Sequence, residues 1–143
     1  MADTVLVVED DPANALLVET ILRNLGGFDV VTSDDGDEVM ALVASRPFSA
    51  ALMDVSLKDT RVAGVKVDGV ELTRRIRDLP GGSGLPVILL TAHAMKGDRE
   101  RLLFASGAND YVAKPIADQH ALVKLVQQHI TTVQHLADAE NLD

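Results

Sequence analysis

"FSAALMD", residues 48–54, is the stretch on which the fold turns. Ala50, Ala51, Leu52 and Met53 form an unbroken apolar row that ends on an acid, Asp54. A strand with one wet face alternates apolar and polar side chains, whereas an unbroken row marks a strand covered on both faces. "TVLVV" (4–8) and "PVILLT" (86–91) have the same character. Both run into polar groups at their carboxyl ends: Glu9, Asp10 and Asp11 after the first, Thr91 at the end of the second. "FDVVTS" (28–33) and the short "DYVA" (110–113) complete five strand candidates.

Helical patterns lie between the strands. Pro12 opens the first, with Leu17, Ile21 and Leu25 on one face and Gly26-Gly27 as its stop. "DGDEVMALVAS" (35–45) is the second, ended before Pro47. Asp68-Gly69 begins the third, which runs through Arg77. "GDRERLLFAS" (97–106) is the fourth, stopped by Gly107, and the fifth runs from Asp118 to His135. Residues 55–67 show no period and read as a loop, and 79–86 as a plain connector. Strands alternating with helices predict an α/β fold: a doubly wound, five-stranded parallel sheet with five helices and right-handed crossovers. One domain is expected over 1–135, with a frayed C-terminal tail over 136–143.

Composition narrows the function. The chain has 143 residues, 47% of them apolar, and no cysteine, which excludes a disulfide framework and a thiolate zinc site. A formal net charge of −9 opposes binding to a phosphate backbone. Three Phe, one Tyr and no Trp offer no base-stacking platform. No apolar run approaches the ~18 residues that would suggest a membrane span. Met1-Ala2-Asp3-Thr4 lacks the basic start of a secretory leader. A cytoplasmic protein without nucleic-acid or membrane partners is expected.

In open α/β sheets, ligands bind beyond the carboxyl ends of the strands. The groups at those ends are Glu9, Asp10 and Asp11, then Asp54, Thr91, and Lys114 followed by Pro115. Each alone has an ordinary explanation. Asp10 or Asp11 would serve as a helix cap, Thr91 as a β-former, Lys114 as a surface lysine. Together they place acids, a hydroxyl and an ammonium along one edge. Clustered carboxylates repel and call for a cation between them. Hard oxygen ligands suit Mg²⁺. A carboxylate can be a nucleophile that forms an aspartyl phosphate, and a metal with a lysine would neutralise the phosphoryl oxygens. The set contains the parts for phosphoryl transfer to Asp54.

On "VLVVEDDP", "LMDVSL", "DGVELTRRIR", "PVILLTAHAMKGDRE" and "GANDYVAKPI", the chain resembles the receiver (CheY-like) domain of two-component response regulators over nearly its whole length. The resemblance implies the flavodoxin-like strand order 2-1-3-4-5. It makes Asp54 the phosphoacceptor and Asp10 a direct Mg²⁺ ligand, with Glu9 acting through water and the Ser56 backbone carbonyl completing the protein's share. Asp11 is then an extra acid at the helix entrance. Thr91 corresponds to the switch hydroxyl, Lys114 to the phosphate-binding lysine, Tyr111 to the rotating aromatic, and Lys114-Pro115 to a cis peptide. In the resemblance, Ser56 and His93, two places beyond Asp54 and Thr91, flank the path of attacking water and tune the lifetime of the phosphoryl group. His93 is equally readable as a solvent-facing residue, and His120, His129 and His135 as ordinary helix-face residues.

The implied protein is a signalling switch in a phosphorelay rather than an enzyme with a separate substrate. Its donor is a histidine kinase or histidine phosphotransfer protein. A downstream protein meets the face formed by helix four, strand five and helix five, and a homodimer is an open alternative. It is either a stand-alone regulator, which the Met1 start favours, or a receiver within a larger protein. Three features depart from the family pattern. The loop after Asp54 is longer, the proline usual soon after the phosphoacceptor is absent (Leu57 is followed by Lys58), and the Thr91-to-Tyr111 span is one residue longer. The alternatives are a haloacid-dehalogenase-type phosphatase and a receiver-like dimerisation module without phosphorylation. The phosphatase needs an acid/base where Ser56 stands. A flavin carrier is disfavoured, since the chain has no phosphate-cradling loop and few aromatic residues to hold the ring.

Overall fold

The computed structural model describes residues 2–92 and 95–140. In chain order the elements are β1 (Thr4–Val8), α1 (Pro12–Asn24), β2 (Asp29–Ser33), α2 (Gly36–Ser45), β3 (Ala50–Asp54), β4 (Arg61–Val62), β5 (Val65–Lys66), α3 (Gly69–Arg77), β6 (Val87–Thr91), α4 (Asp98–Ser106), β7 (Asp110–Ala113) and α5 (Gln119–Glu140). The main sheet has the order β2-β1-β3-β6-β7, and every ladder in it is parallel. With the separate β4–β5 hairpin set aside, this is the expected 2-1-3-4-5 arrangement. The chain leaves β1 to one side for β2 and returns to the other for β3, so strand order reverses between β1 and β3.

The unbroken apolar rows have a direct cause. Side chains alternate between the faces of a strand. Leu6, Val8, Ala51, Met53 and Leu89 face one core with residues of α2, α3 and α4; Val5, Val7, Leu52, Ile88 and Leu90 face the other with residues of α1 and α5. Both sets are fully buried, so no position from Ala50 to Met53 tolerates a polar group. Three helices start at an aspartate whose side chain accepts backbone N–H groups: Asp11 for α1, Asp35 for α2 and Asp68 for α3. Arg77, at the end of α3, donates to the carbonyls of Gly82, Leu85 and Gly107 and to Asn109 Oδ1 at 2.6–3.0 Å, tying α3 to the approach to β6 and the end of α4.

Three expectations change. The buried stripe of α1 is Val18, Ile21 and Leu22, while Leu17 and Leu25 are exposed. Apolar residues fill two adjacent stripes of this helix, and spacing alone does not choose between them. Residues 55–67 are not all loop: β4 and β5 pair antiparallel, Val62 with Val65, around Ala63-Gly64. Both turn residues have positive φ, 50° and 81°, as a two-residue type I′ hairpin turn requires. Finally, α5 continues to Glu140, five residues beyond the expected helix end, and residues 141–143 of the expected tail lie outside the described residues.

The hairpin is anchored. Leu57, Thr60, Val62 and Val67 are buried, Thr60 Oγ1 donates to the Asp34 carbonyl at 2.9 Å, and the Ala63 N–H donates to Asp37 Oδ1 at 2.9 Å. It sits so close to the start of α2 that a Cβ on Gly36 would collide with the Arg61 carbonyl.

Candidate functional site

The carboxyl edge of the sheet gathers the predicted groups. The β1 end presents Glu9 and Asp10, β3 ends on Asp54, β6 ends on Thr91, and Lys114 follows β7. Asp54 and Glu9 are only 3% and 5% exposed, and Thr91 is fully buried. Lys114 Nζ joins the two acids, donating to Asp54 Oδ1 at 2.9 Å and to Glu9 Oε2 at 3.1 Å. The Ser56 N–H also donates to Asp54 Oδ1, at 3.1 Å. The Asp11 N–H donates to Glu9 Oε1 at 3.2 Å, while the Asp11 side chain turns away to cap α1. The Lys114-Pro115 peptide is cis.

Gly69 sets how closely α3 approaches this edge. Its N–H donates to the Val55 carbonyl at 3.0 Å, and a Cβ there would overlap the Asp54 carbonyl and reach 2.9 Å from Val55 Cα. The Asp68-Gly69 pair therefore combines a cap with a contact that only glycine allows.

Charge is unbalanced. Burial pushes the Glu9 carboxyl above its ordinary value; the Lys114 hydrogen bond opposes that and the charge of Asp54 adds to it. Burial pulls Lys114 down, but its hydrogen bonds and charge interactions with Asp54 and Glu9 together outweigh this and hold its ammonium above the usual value. Two buried acids share one ammonium, with Asp10 a further acid beside them. Glu9, Asp10 and Asp54 each offer an oxygen, all within 4.8 Å of one another. Hard oxygen donors at this separation, with excess negative charge, fit a divalent cation of the Mg²⁺ kind. They line an open cleft of about 330 Å³ with Ser56, Lys58 and Lys114.

Tyr111 is half-buried in β7 against the α2–α3–α4 core, one residue after Asp110. His93 lies outside the described residues. His120 and His135 are exposed on α5. His129 has a partner that its place on a helix face did not foretell: its Nε2 is 2.9 Å from Asp110 Oδ2, whose Oδ1 accepts from Arg99 Nη2 of α4 at 2.9 Å. Sequence reasoning also missed the Lys58 N–H, which donates to Asp10 Oδ2 at 2.6 Å. Backbone groups carry no letter, and the lysine in place of a proline was the signal that could have revealed it.

Among the described residues no helix is long and apolar enough to cross a membrane. The family profile of the response regulator receiver domain matches residues 5–127. The sensor histidine kinase GacS of Pseudomonas protegens is 36% identical over 121 residues, and the signal transduction histidine-protein kinase BarA of Escherichia coli 37% over 119. These matches cover 82% and 83% of this chain but only 12% of either kinase. The receiver domain of sensor histidine kinase PA1611 from Pseudomonas aeruginosa, solved with a magnesium ion coordinated in its active-site cleft, superposes with a TM-score of 0.77 at 36% identity, over 92% of this chain and 99% of that one. The chain belongs to the response regulator receiver domain family.

Proposed function

We propose that this receiver is a phosphorylation-dependent switch in which Asp54 accepts the phosphoryl group. The observation that carries this is the placement of Asp54: buried at the end of the central strand, bonded to Lys114, and within reach of two further carboxylates. Its Oδ1 takes the hydrogen bonds from Lys114 and Ser56, and Oδ2 is the oxygen proposed to attack. In the transfer, an Asp54 oxygen bonds to phosphorus, the phosphorus–nitrogen bond of a phosphohistidine breaks, and the imidazole leaves with a solvent proton. Asp10 and Asp54, with the Ser56 carbonyl and Glu9 through water, would hold Mg²⁺, which supplies positive charge to the phosphoryl oxygens. Lys114 exchanges part of its carboxylate pairing for a phosphoryl oxygen, and the Thr91 hydroxyl donates to another. Ser56 and His93 are the candidates for tuning the lifetime of the phosphoryl group.

The donor is a histidine kinase or a histidine phosphotransfer protein. The added charge draws Thr91 toward the modified Asp54, and Tyr111 turns into the space released. That reshapes the α4–β7–α5 face for a downstream protein or a second copy. The setting is cytoplasmic, and no separate substrate is turned over. Incubation with a small phosphodonor and Mg²⁺, followed by intact mass, is expected to show one added phosphoryl group, lost in Asp54→Asn. Unmodified protein under conditions that label a control receiver would refute this.

A further inference from the structure

We infer that Lys58 is a positioning residue for Asp10, acting through its backbone N–H, and that the β4–β5 hairpin exists on this rim to hold it there. The inference deepens the proposed function and rests on Asp10 being a cation ligand. The Lys58 N–H is 2.6 Å from Asp10 Oδ2, a short bond to a charged acceptor and so a strong one. It crosses from the segment after β3 to the end of β1. A proline at 58 has no N–H to donate. The residue change and the longer loop thus have one explanation.

The segment carrying the donor is fixed on both sides. Leu57 is buried before it and Thr60 after it, and Thr60 Oγ1 holds the Asp34 carbonyl at 2.9 Å. Beyond Thr60 the hairpin is pinned to α2 by the Ala63–Asp37 bond. Asp10, unlike Glu9 and Asp54, has no lysine ammonium bonded to it among the described residues. The Lys58 N–H restrains one carboxylate oxygen of an Asp10 that lines the cleft and offers an oxygen within 4.8 Å of those of Glu9 and Asp54. Hydrogen bonds to ligating carboxylates orient them, and their loss commonly lowers metal affinity 10- to 100-fold.

Two substitutions separate backbone from side chain. Lys58→Pro removes the donor, and Lys58→Ala keeps it while removing the ammonium. With the chain described here, calorimetric Mg²⁺ titration is expected to give a Kd raised about tenfold in Lys58→Pro and within about twofold of wild type in Lys58→Ala. Lys58→Pro binding as tightly as wild type, or Lys58→Ala losing as much as Lys58→Pro, overturns the inference. Because proline can also disturb the loop, amide hydrogen exchange on the unmutated protein gives an independent check. The Lys58 amide, on an exposed residue, should exchange slowly, faster in Asp10→Ala, and remain protected at saturating Mg²⁺. Exchange at the unprotected rate in wild type, or protection lost on adding Mg²⁺, overturns it. A protein never labelled at Asp54 that still shows this pattern refutes the phosphoacceptor assignment and supports this one.

Discussion

Replacing Lys114 by Met should destabilise the cation-free protein, and the structure sets the size. The ammonium lies 2.9 Å from Asp54 Oδ1 and 3.1 Å from Glu9 Oε2, and the two acid side chains are almost fully buried. Removing one partner of a buried pair costs about 3–5 kcal/mol, because a charge is left unmatched. The Lys114 side chain keeps 19% exposure, so water reaches the vacated position and the lower end, about 3 kcal/mol, applies. Part of the cost is relieved by protonation. Burial already holds Glu9 above its ordinary value against the pull of Lys114, and removing Lys114 removes that pull. An acid raised in the folded state binds more protons folded than unfolded between its two values, so stability falls as pH rises through that window. The loss should therefore be larger at pH 8 than at pH 5. Urea unfolding in chelator, followed by circular dichroism, should show a midpoint lower by about 1–3 M at pH 8, for an m of about 1–3 kcal/mol/M. Asp54→Asn in the same background should recover part of the loss. A variant as stable as wild type, or an equal loss at both pH values and in both backgrounds, would refute the charge argument.

Gly69→Ala should lower stability by about 1–3 kcal/mol and slow labelling of Asp54, since α3 must retreat from the strand end; unchanged labelling and stability would disprove the close-contact argument. Arg77→Met should cost about 2–4 kcal/mol in urea unfolding, because several carbonyls lose their donor, while labelling persists; a loss under about 0.5 kcal/mol would count against its bracing role. Chelation should stop labelling of Asp54 and Mg²⁺ should restore it. Undiminished labelling in chelator would remove the cation from the mechanism.

The sheet was legible because burial on both faces leaves no polar position in a strand, and "AALM" reports that directly. The candidate site was legible because Glu9, Asp10, Asp54 and Thr91 follow or end such rows, whereas Lys114 follows the half-buried β7. The α1 stripe was not, since Leu16, Leu17, Val18, Ile21, Leu22 and Leu25 supply apolar groups to more than one face. The hairpin escaped because two-residue strands are too short for any period, and Ala63-Gly64 is a weaker turn signal than Asn-Gly. The end of α5 was misjudged on its polarity, although Leu, Ala and Glu in "LADAE" are good helix formers. The pairing of His129 with Asp110 joins a helix to a strand, and single-sequence spacing carries no trace of it.

The wholly parallel main sheet has a consequence for when the protein becomes competent. Parallel neighbours need a crossover between them, so no ladder of that sheet forms from adjacent chain, and such pairings come late and slowly. Glu9, Asp54, Thr91 and Lys114 are delivered by four different strands of it. A partly folded chain with β7 undocked has its aspartate but no lysine beside it. On the proposed function such a chain would be a poor phosphoacceptor, so the modification would report on completed assembly, and immature or locally opened molecules would drop out of the signal by themselves.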